Sequence, residues 1–257
     1  SDCLVGSEMC IRDSINSYRF FMHPKIHAKN NPDKPAYIMA SSNEVVTYKE
    51  LDDYSNQIAN FFRKKGLLPG DHIAIFMENN SIFTKILWAA QRSGLYYTPI
   101  SSRLTASEVD YIIRDCGAKL VITSTHLKHV VSDLGMLIKD IPDRYIVNGN
   151  CEGWKNFEQH IINMPISPIE DEIMGQDMLY SSGTTGKPKG IKLPLKNIPV
   201  EQSEDLMAVV TTLYGTNENT IYLSPAPLYH AAPLRFTMGV NYICLLYTSD
   251  AADDDHC

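Results

Sequence analysis

Apolar side chains along residues 47–65 recur at helical spacing. Tyr48, Leu51, Tyr54, Ile58 and Phe62 share one face, and Lys64, Lys65 and Gly66 supply the charge and left-handed cap that end a helix. Leu68-Pro69-Gly70-Asp71 then reads as a turn, and 73–77 is a continuous apolar run of strand length. A helix over 81–93 follows, with Gly94 beyond it, and 96–100 is a second extended run. Thr105-Ala106-Ser107-Glu108 has the spacing of a capping box, opening a helix that reaches Asp115 and closes at Gly117. Residues 120–123 supply another strand. Farther on, 154–162 reads as a short helix and 164–176 as a loop with two prolines. Residues 178–180 look like a strand entering a Gly/Ser/Thr loop and 191–193 like the strand leaving it. A helix over 201–213, a strand over 221–223 and a helix from Ala231 complete the pattern. Strands alternating with helices over this length predict an α/β fold whose mostly parallel sheets are flanked by helices.

The two ends break the pattern. Residues 3–14, CLVGSEMCIRDS, and 244–254, CLLYTSDAADD, carry neither periodicity nor a core face matched to their neighbours. Met9-Cys10-Ile11-Arg12-Asp13-Ser14 and Cys244-Leu245-Leu246-Tyr247-Thr248-Ser249 resemble the translation of transposase adaptors used in sequencing libraries, one match at each end. Residues 1–14 and 244–257 are therefore read as adaptor-derived and kept out of the fold argument. Residues 15–243 remain as the natural part, expected to be truncated on both sides.

That division changes the charge and cysteine arguments. The whole chain of 257 residues has a net charge of −7, but the ends hold seven of its 30 acids and one of its 23 bases. What remains is 23 acids against 22 bases, a net charge of −1, which offers no electrostatic footprint for nucleic acid or an anionic surface. Cys3, Cys10, Cys244 and Cys257 leave with the ends, and the remaining Cys116 and Cys151 form neither a zinc pattern nor a disulfide framework. A reducing, cytoplasmic setting is the expectation. No window approaches the roughly 18 uninterrupted apolar residues of a membrane span.

Candidate chemistry concentrates in one loop. Ser181-Ser182-Gly183-Thr184-Thr185-Gly186-Lys187-Pro188-Lys189-Gly190 packs four hydroxyls, three glycines and two lysines into ten residues. Glycines let a backbone turn its amides toward an anion, hydroxyls add donors, and lysines offset negative charge, so the composition suits a polyphosphate. It is not a Walker A loop, since Ser181 stands where that pattern requires its first glycine and Pro188 follows Lys187 where it requires Ser or Thr. Strand-like flanks argue against a plain solvated linker.

Residues 180–191, YSSGTTGKPKGI, resemble the phosphate-loop signature of the adenylate-forming (AMP-binding) superfamily. Three further segments stand in the family's order. Thr47-Tyr48-Lys49-Glu50-Leu51 resembles its first core motif, Gly94-Leu95-Tyr96-Tyr97-Thr98-Pro99-Ile100 its second, and Ser224-Pro225-Ala226-Pro227-Leu228-Tyr229-His230 the one after the phosphate loop. Within the superfamily, YYTPISSRLTASEVDYIIRDCGAKLVI and PLYHAAP are most similar to fatty acyl-CoA synthetases. The resemblance implies the N-terminal subdomains of that fold, incomplete, with 15–243 forming part of the large AMP-binding domain. It also implies a two-step ligation. A carboxylate attacks the α-phosphorus of ATP to give an acyl-adenylate and pyrophosphate, and CoA then takes the acyl group, with ATP, Mg2+ and CoA as cofactor and co-substrates.

By the same resemblance, Ser181, Ser182, Gly183, Thr184, Thr185, Gly186, Lys187 and Lys189 would hold the β- and γ-phosphates. Lys189 is the foremost catalytic candidate, set to stabilise charge on the departing pyrophosphate. His230 is the second, positioning the carboxylate or forming a wall of the pocket, with a core or capping role as the alternative. Tyr229 and Phe236 are candidates for lining the acyl pocket, with ordinary core packing as the alternative. His23, His27, His72, His126, His129 and His160 show no metal spacing, and no residue is assigned as a metal ligand. The family's adenine, ribose and magnesium motifs and its C-terminal catalytic lysine would lie downstream of residue 243. The chain as written is accordingly expected to be inactive and poorly soluble, a fragment of an enzyme of lipid metabolism. Its partners would be a small carboxylate, ATP and CoA, with no nucleic acid and no transmembrane segment; peripheral membrane association stays open. A CoA-independent adenylation domain and a non-catalytic binding module that keeps the fold are the alternatives.

Overall fold

A computed structural model of the chain describes residues 23–181, 187–202, 214–217, 219–243 and 246–249. The helix expected over 201–213 lies largely outside these residues, and Glu201 and Gln202 form a turn. A seven-stranded sheet dominates, in the order β7-β6-β5-β3-β4-β8-β9. Its strands are β3 (His72–Phe76), β4 (Tyr96–Ile100), β5 (Ala118–Ser124), β6 (Asp143–Val147), β7 (Lys155–Asn156), β8 (Gln176–Ser181) and β9 (Lys189–Lys192). All neighbours pair in parallel except β8 and β9. A smaller sheet, β10-β11-β1-β2, consists of β1 (Pro35–Met39), β2 (Val45–Thr47), β10 (Ile221–Ser224) and β11 (Leu246–Ser249).

Strand periodicity decides which helices cover which face. On β3, Ile73 and Ile75 point into one core and Ala74 and Phe76 into the other, and all four are fully buried. The first core is closed by α2 (Tyr48–Lys64) through Leu51, Ile58, Phe61 and Phe62, and by α3 (Ser81–Arg92) through Ile86, Leu87 and Trp88. The second is closed by α4 (Ala106–Cys116) through Val109, Ile112 and Ile113, and by α5 (Lys128–Leu137) through Val131 and Leu134. Burying each such side chain contributes about 1.5–3 kcal/mol. Thr47 opens α2 with a complete capping box: its hydroxyl accepts from the Glu50 amide at 3.2 Å, and its own amide donates to the Glu50 carboxylate at 2.8 Å. In α4 the Thr105 amide donates to Glu108 at 2.8 Å. Among the described residues, three further α-helices are α1 (Pro24–Asn30), α6 (Phe157–Ile161) and α7 (Ala231–Tyr242).

One buried cation ties the helical layer together. Arg92 is wholly buried, and its guanidinium meets Asp52 of α2 at 2.6 Å and Glu172 at 3.2 Å. Glu172 also accepts from Lys25 of α1 at 2.8 Å. A charge this deep is tolerable only when paired and hydrogen-bonded.

Two regions depart from the sequence reading. The helix expected over 154–162 is split into β7 and α6, because Asn156 takes an extended backbone and caps α6 by accepting from the Gln159 amide at 2.9 Å. Residues 246–249, inside the segment read above as adaptor-derived and without a core face matched to its neighbours, form β11, a strand laid in parallel between β10 and β1. The ladder is made by backbone amides and carbonyls, which pair whatever the side chains are.

Gly175 sits where β8 enters the large sheet, and a Cβ there would lie 2.5 Å from the Leu95 carbonyl oxygen and 2.7 Å from that of Ala90. Neither backbone can retreat. Gly175→Ala is expected to cost about 2 kcal/mol, lowering the thermal midpoint by roughly 4–8 °C. Gly153→Asn, with a φ of +79° and nothing within 4 Å, should stay close to the parent, and calorimetry compares the two.

His72 opens β3 and stacks on Tyr96, ring centroids 4.6 Å apart, while the Lys192 ammonium lies 4.4 Å from the centre of the same tyrosine. Burial, with Lys192 adding to it, lowers the His72 pKa to about 4. The unfolded histidine takes its proton first, so this contribution is complete above about pH 6.5 and is lost as pH falls toward 4. Urea midpoints should decline through that window, and His72→Phe should decline less.

Candidate active site

The large sheet changes direction beside β4. From β3 the chain crosses by α3 to its neighbour β4, but from β4 it returns by α4 past β3 to β5. The neighbouring β8 exits the other way, into β9, and adjacent strands whose exits diverge leave a crevice at their carboxyl ends. A cavity of about 540 Å3 lies there. Its walls are Pro99, Ile100 and Ser101 at the end of β4, Leu104 and Ile112 beside and on α4, and Leu179, Tyr180 and Ser181 at the end of β8. Pro188 and Ile191 close it from the β9 side, and Tyr229, His230 and Ala231 close it from the start of α7. Its lining is mostly apolar, with Ser101, Ser181 and His230 as polar side chains.

The hydroxyl- and lysine-rich loop springs from the mouth of this cavity. Ser181 and Lys189 are the last cross-strand pair of the β8–β9 hairpin. Ser182, Gly183, Thr184, Thr185 and Gly186 lie outside the described residues. Lys189 is exposed and lies, by strand alternation, on the same side of β9 as the cavity-lining Ile191. Its side chain does not line the cavity itself. Lys187 is exposed and sits over the ring of Tyr111, 4.9 Å from the centroid.

His230 comes to the cavity as the N-cap residue of α7, with an extended backbone (φ −86°, ψ 145°) and a side chain that makes no capping hydrogen bond. The imidazole packs on Tyr229 at a centroid distance of 4.3 Å. The N-terminus of a 12-residue helix directed at this wall favours negative charge. The structure thus brings Ser181, Tyr229 and His230 to one cavity, with Lys189 on its rim. It does not bring Phe236 there. Half-buried on α7, Phe236 stacks on Tyr222 of β10, centroids 6.3 Å apart, because it falls on a helical face turned toward the smaller sheet.

Residues that hold these walls in place escaped the sequence reading. Asn79, just past β3, donates to the Ala226 carbonyl at 3.1 Å and accepts from the Leu228 amide at 2.9 Å. Its side chain thus pairs with the loop leading to His230 as another strand would. Asp177, buried on β8, accepts from Gln176 at 2.6 Å and from Arg235 of α7 at 2.9 and 3.2 Å. Among the described residues no group of three or more His, Cys, Asp or Glu is placed to hold a metal ion.

The sequence profile described as AMP-binding enzyme matches residues 25–246, and the chain belongs to that family. Among curated proteins, the fatty acid–[acyl-carrier-protein] ligase ScoC of Streptomyces coeruleorubidus is 32% identical over 168 residues, 65% of this chain and 31% of its own length. The long-chain-fatty-acid–CoA ligase FadD13 of Mycobacterium tuberculosis is 27% identical over 213 residues, 79% of this chain and 39% of its own. The chain therefore spans less than two fifths of either relative. Among solved structures, o-succinylbenzoate CoA synthetase from Bacillus subtilis, in complex with an acyl-adenylate intermediate, superposes with a TM-score of 0.67 at 19% identity. That match covers 88% of this chain and 55% of that one, and it establishes a shared fold.

Arg235 is partly exposed whereas Asp177 is buried, so removing the cation alone strands a carboxylate. Arg235→Met is expected to cost about 2 kcal/mol, and Asp177→Asn in the same chain should recover part of it. A double-mutant cycle in urea should give a coupling of about 1–2 kcal/mol.

Proposed function

We propose that the protein carrying this chain is an ATP-dependent, AMP-forming acid–thiol ligase that activates a hydrophobic carboxylate, of medium or long aliphatic chain, and passes it to CoA. The observation that carries this reading is the placement of the Ser181–Lys189 hairpin mouth and His230 on two walls of one largely apolar cavity. In the first step a carboxylate oxygen attacks the α-phosphorus of ATP and the α–β anhydride bond breaks, so pyrophosphate leaves with the electron pair. In the second, the CoA thiolate attacks the acyl carbon, AMP departs and the thiol proton passes to solvent.

Chemistry of this kind needs charge neutralisation and alignment more than covalent help from the protein. Ser181, Lys187 and Lys189, with residues 182–186 between them, would hold the β- and γ-phosphates. The Lys189 ammonium, on the rim, would offset charge on the leaving pyrophosphate. His230, at the positive end of α7, would orient the carboxylate, and Tyr229 would form the apolar wall beside it. Magnesium belongs to this reading as the ion that accompanies ATP. The described residues do not form a group of three or more His, Cys, Asp or Glu for it.

The acceptor thiol is the point on which a second reading turns. ScoC's own name specifies an acyl-carrier protein where FadD13's specifies CoA, and both share the activation step. Among the described residues no helix is long and apolar enough to cross a membrane. Cys116 is buried and Cys151 half-buried, both free; the cytoplasmic, reducing setting is proposed from cysteine usage alone.

In the longer protein that carries this chain, carboxylate-dependent exchange of labelled pyrophosphate into ATP tests the activation step without assuming the acceptor. Exchange should rise with aliphatic acids, and Lys189→Ala should lower it about 10²- to 10³-fold. Equal exchange by the variant would overturn the assignment of Lys189. CoA-dependent release of AMP, compared with release on adding a carrier protein, separates the two acceptors.

A further inference from the structure

Both stems of the phosphate loop rest on one face of α4. On the entering side, the Tyr180 hydroxyl donates to Asp115 at 2.5 Å. Burial and the Asp115 carboxylate both push the Tyr180 pKa upward, so the phenol stays a donor. On the leaving side, the Tyr111 hydroxyl donates to the Pro188 carbonyl at 3.3 Å, and the face of the same ring carries the Lys187 ammonium at 4.9 Å. Tyr111 and Asp115 are four residues apart, one turn of the helix, and so present these contacts side by side.

We propose that α4 is the brace of the phosphate loop, with Tyr111 as a positioning residue that fixes the Pro188 stem and holds Lys187 on its ring until a polyphosphate draws the ammonium away. The inference rests on the phosphate-binding role proposed above. An ammonium over an aromatic face is held by the ring's negative quadrupole, a weaker hold than that of a multiply charged anion at contact distance. Transfer of Lys187 from ring to phosphate therefore needs only a side-chain rotation, provided the stem stays fixed. The hydroxyl of Tyr111 does that fixing. Asp115 and Tyr180 do the same for the stem that ends in Ser181.

Protons held over an aromatic face resonate upfield, which makes the contact visible. The probe is inorganic tripolyphosphate, titrated into the chain while the lysine CεH2 signals are followed by NMR, with Lys187→Met identifying the Lys187 pair. In the free chain that pair is expected upfield of the other lysines, in Tyr111→Phe still upfield, and in Tyr111→Leu at the ordinary position. Tripolyphosphate should move it to the ordinary position with saturation. Tyr111→Phe, which keeps the ring and loses the stem contact, should bind tripolyphosphate about three- to tenfold more weakly at an unchanged thermal midpoint. An unshifted Lys187 signal in the free chain, a signal that stays upfield at saturation, or equal affinity in Tyr111→Phe each overturns this inference alone. No tripolyphosphate binding by the unaltered chain overturns the phosphate-loop reading and this inference with it.

Discussion

The placement of α7 is the constraint on which the site depends, because this helix touches both sheets and carries His230 at its leading end. Its C-terminal half is anchored by Asn241, which is fully buried. The side-chain amide of Asn241 accepts from the Trp88 indole at 3.1 Å and donates to the Ala36 carbonyl at 3.2 Å, while its own carbonyl accepts from the Tyr48 hydroxyl at 3.3 Å. Those partners belong to α3, β1 and α2. A buried amide that loses one partner pays the desolvation of the group left behind, so the network admits one seat for the helix and penalises its neighbours. Farther along, Thr237 meets Ser224 of β10 at 3.2 Å and Arg235 meets Asp177 of β8. Apolar burial drives the helix down; these polar contacts decide where along the groove it stops, and hence where His230 stands relative to Ser181.

Much of this was legible wherever a segment's local signal and its tertiary role agree. The apolar runs at β3 and β4 read as strands because both faces of the sheet are covered, α2 read as a helix from its apolar spacing, and Thr105 with Glu108 announced α4 because the cap is satisfied locally. The segments on either side of the hydroxyl-, glycine- and lysine-rich stretch read as strands and form β8 and β9. Other segments depend on distant partners. In α5, Gly135 argues against a helix, yet a Cβ there would lie 2.9 Å from the Trp154 indole nitrogen, which donates to the Val131 carbonyl. β1 and β2 are short and take their place from pairing across the smaller sheet, while α1 is seated by His23 against Trp88 and by Lys25 on Glu172. Asn79 and Arg235 carry no local signature either, since their partners lie about 150 and 58 residues away.

The β11 strand shows the converse, a local feature that says little about its own origin. Leu246, Tyr247, Thr248 and Ser249 include residue types that favour extended backbone, and the gap between β10 and β1 exposes backbone groups of both strands to any extended segment that reaches it. A chain leaving α7 arrives at that gap. Strand formation at 246–249 therefore follows from topology and backbone hydrogen bonding, and it is compatible with an adaptor-derived tail as much as with a native one.

The lysines around the proposed phosphate loop settle in two ways. Lys187, Lys189 and Lys192 crowd within six residues, and none forms an ion pair with a carboxylate among the described residues. Lys187 lies on Tyr111 and Lys192 on Tyr96, while Lys189 reaches into solvent. Like charges brought together without a counter-ion separate along the routes that cost least, and an aromatic face is such a route because it attracts the ammonium without neutralising it. A carboxylate in the same place would satisfy the lysine permanently and repel a phosphate as well. Aromatic resting places keep the charge available, as a polyphosphate grip of the kind proposed would require.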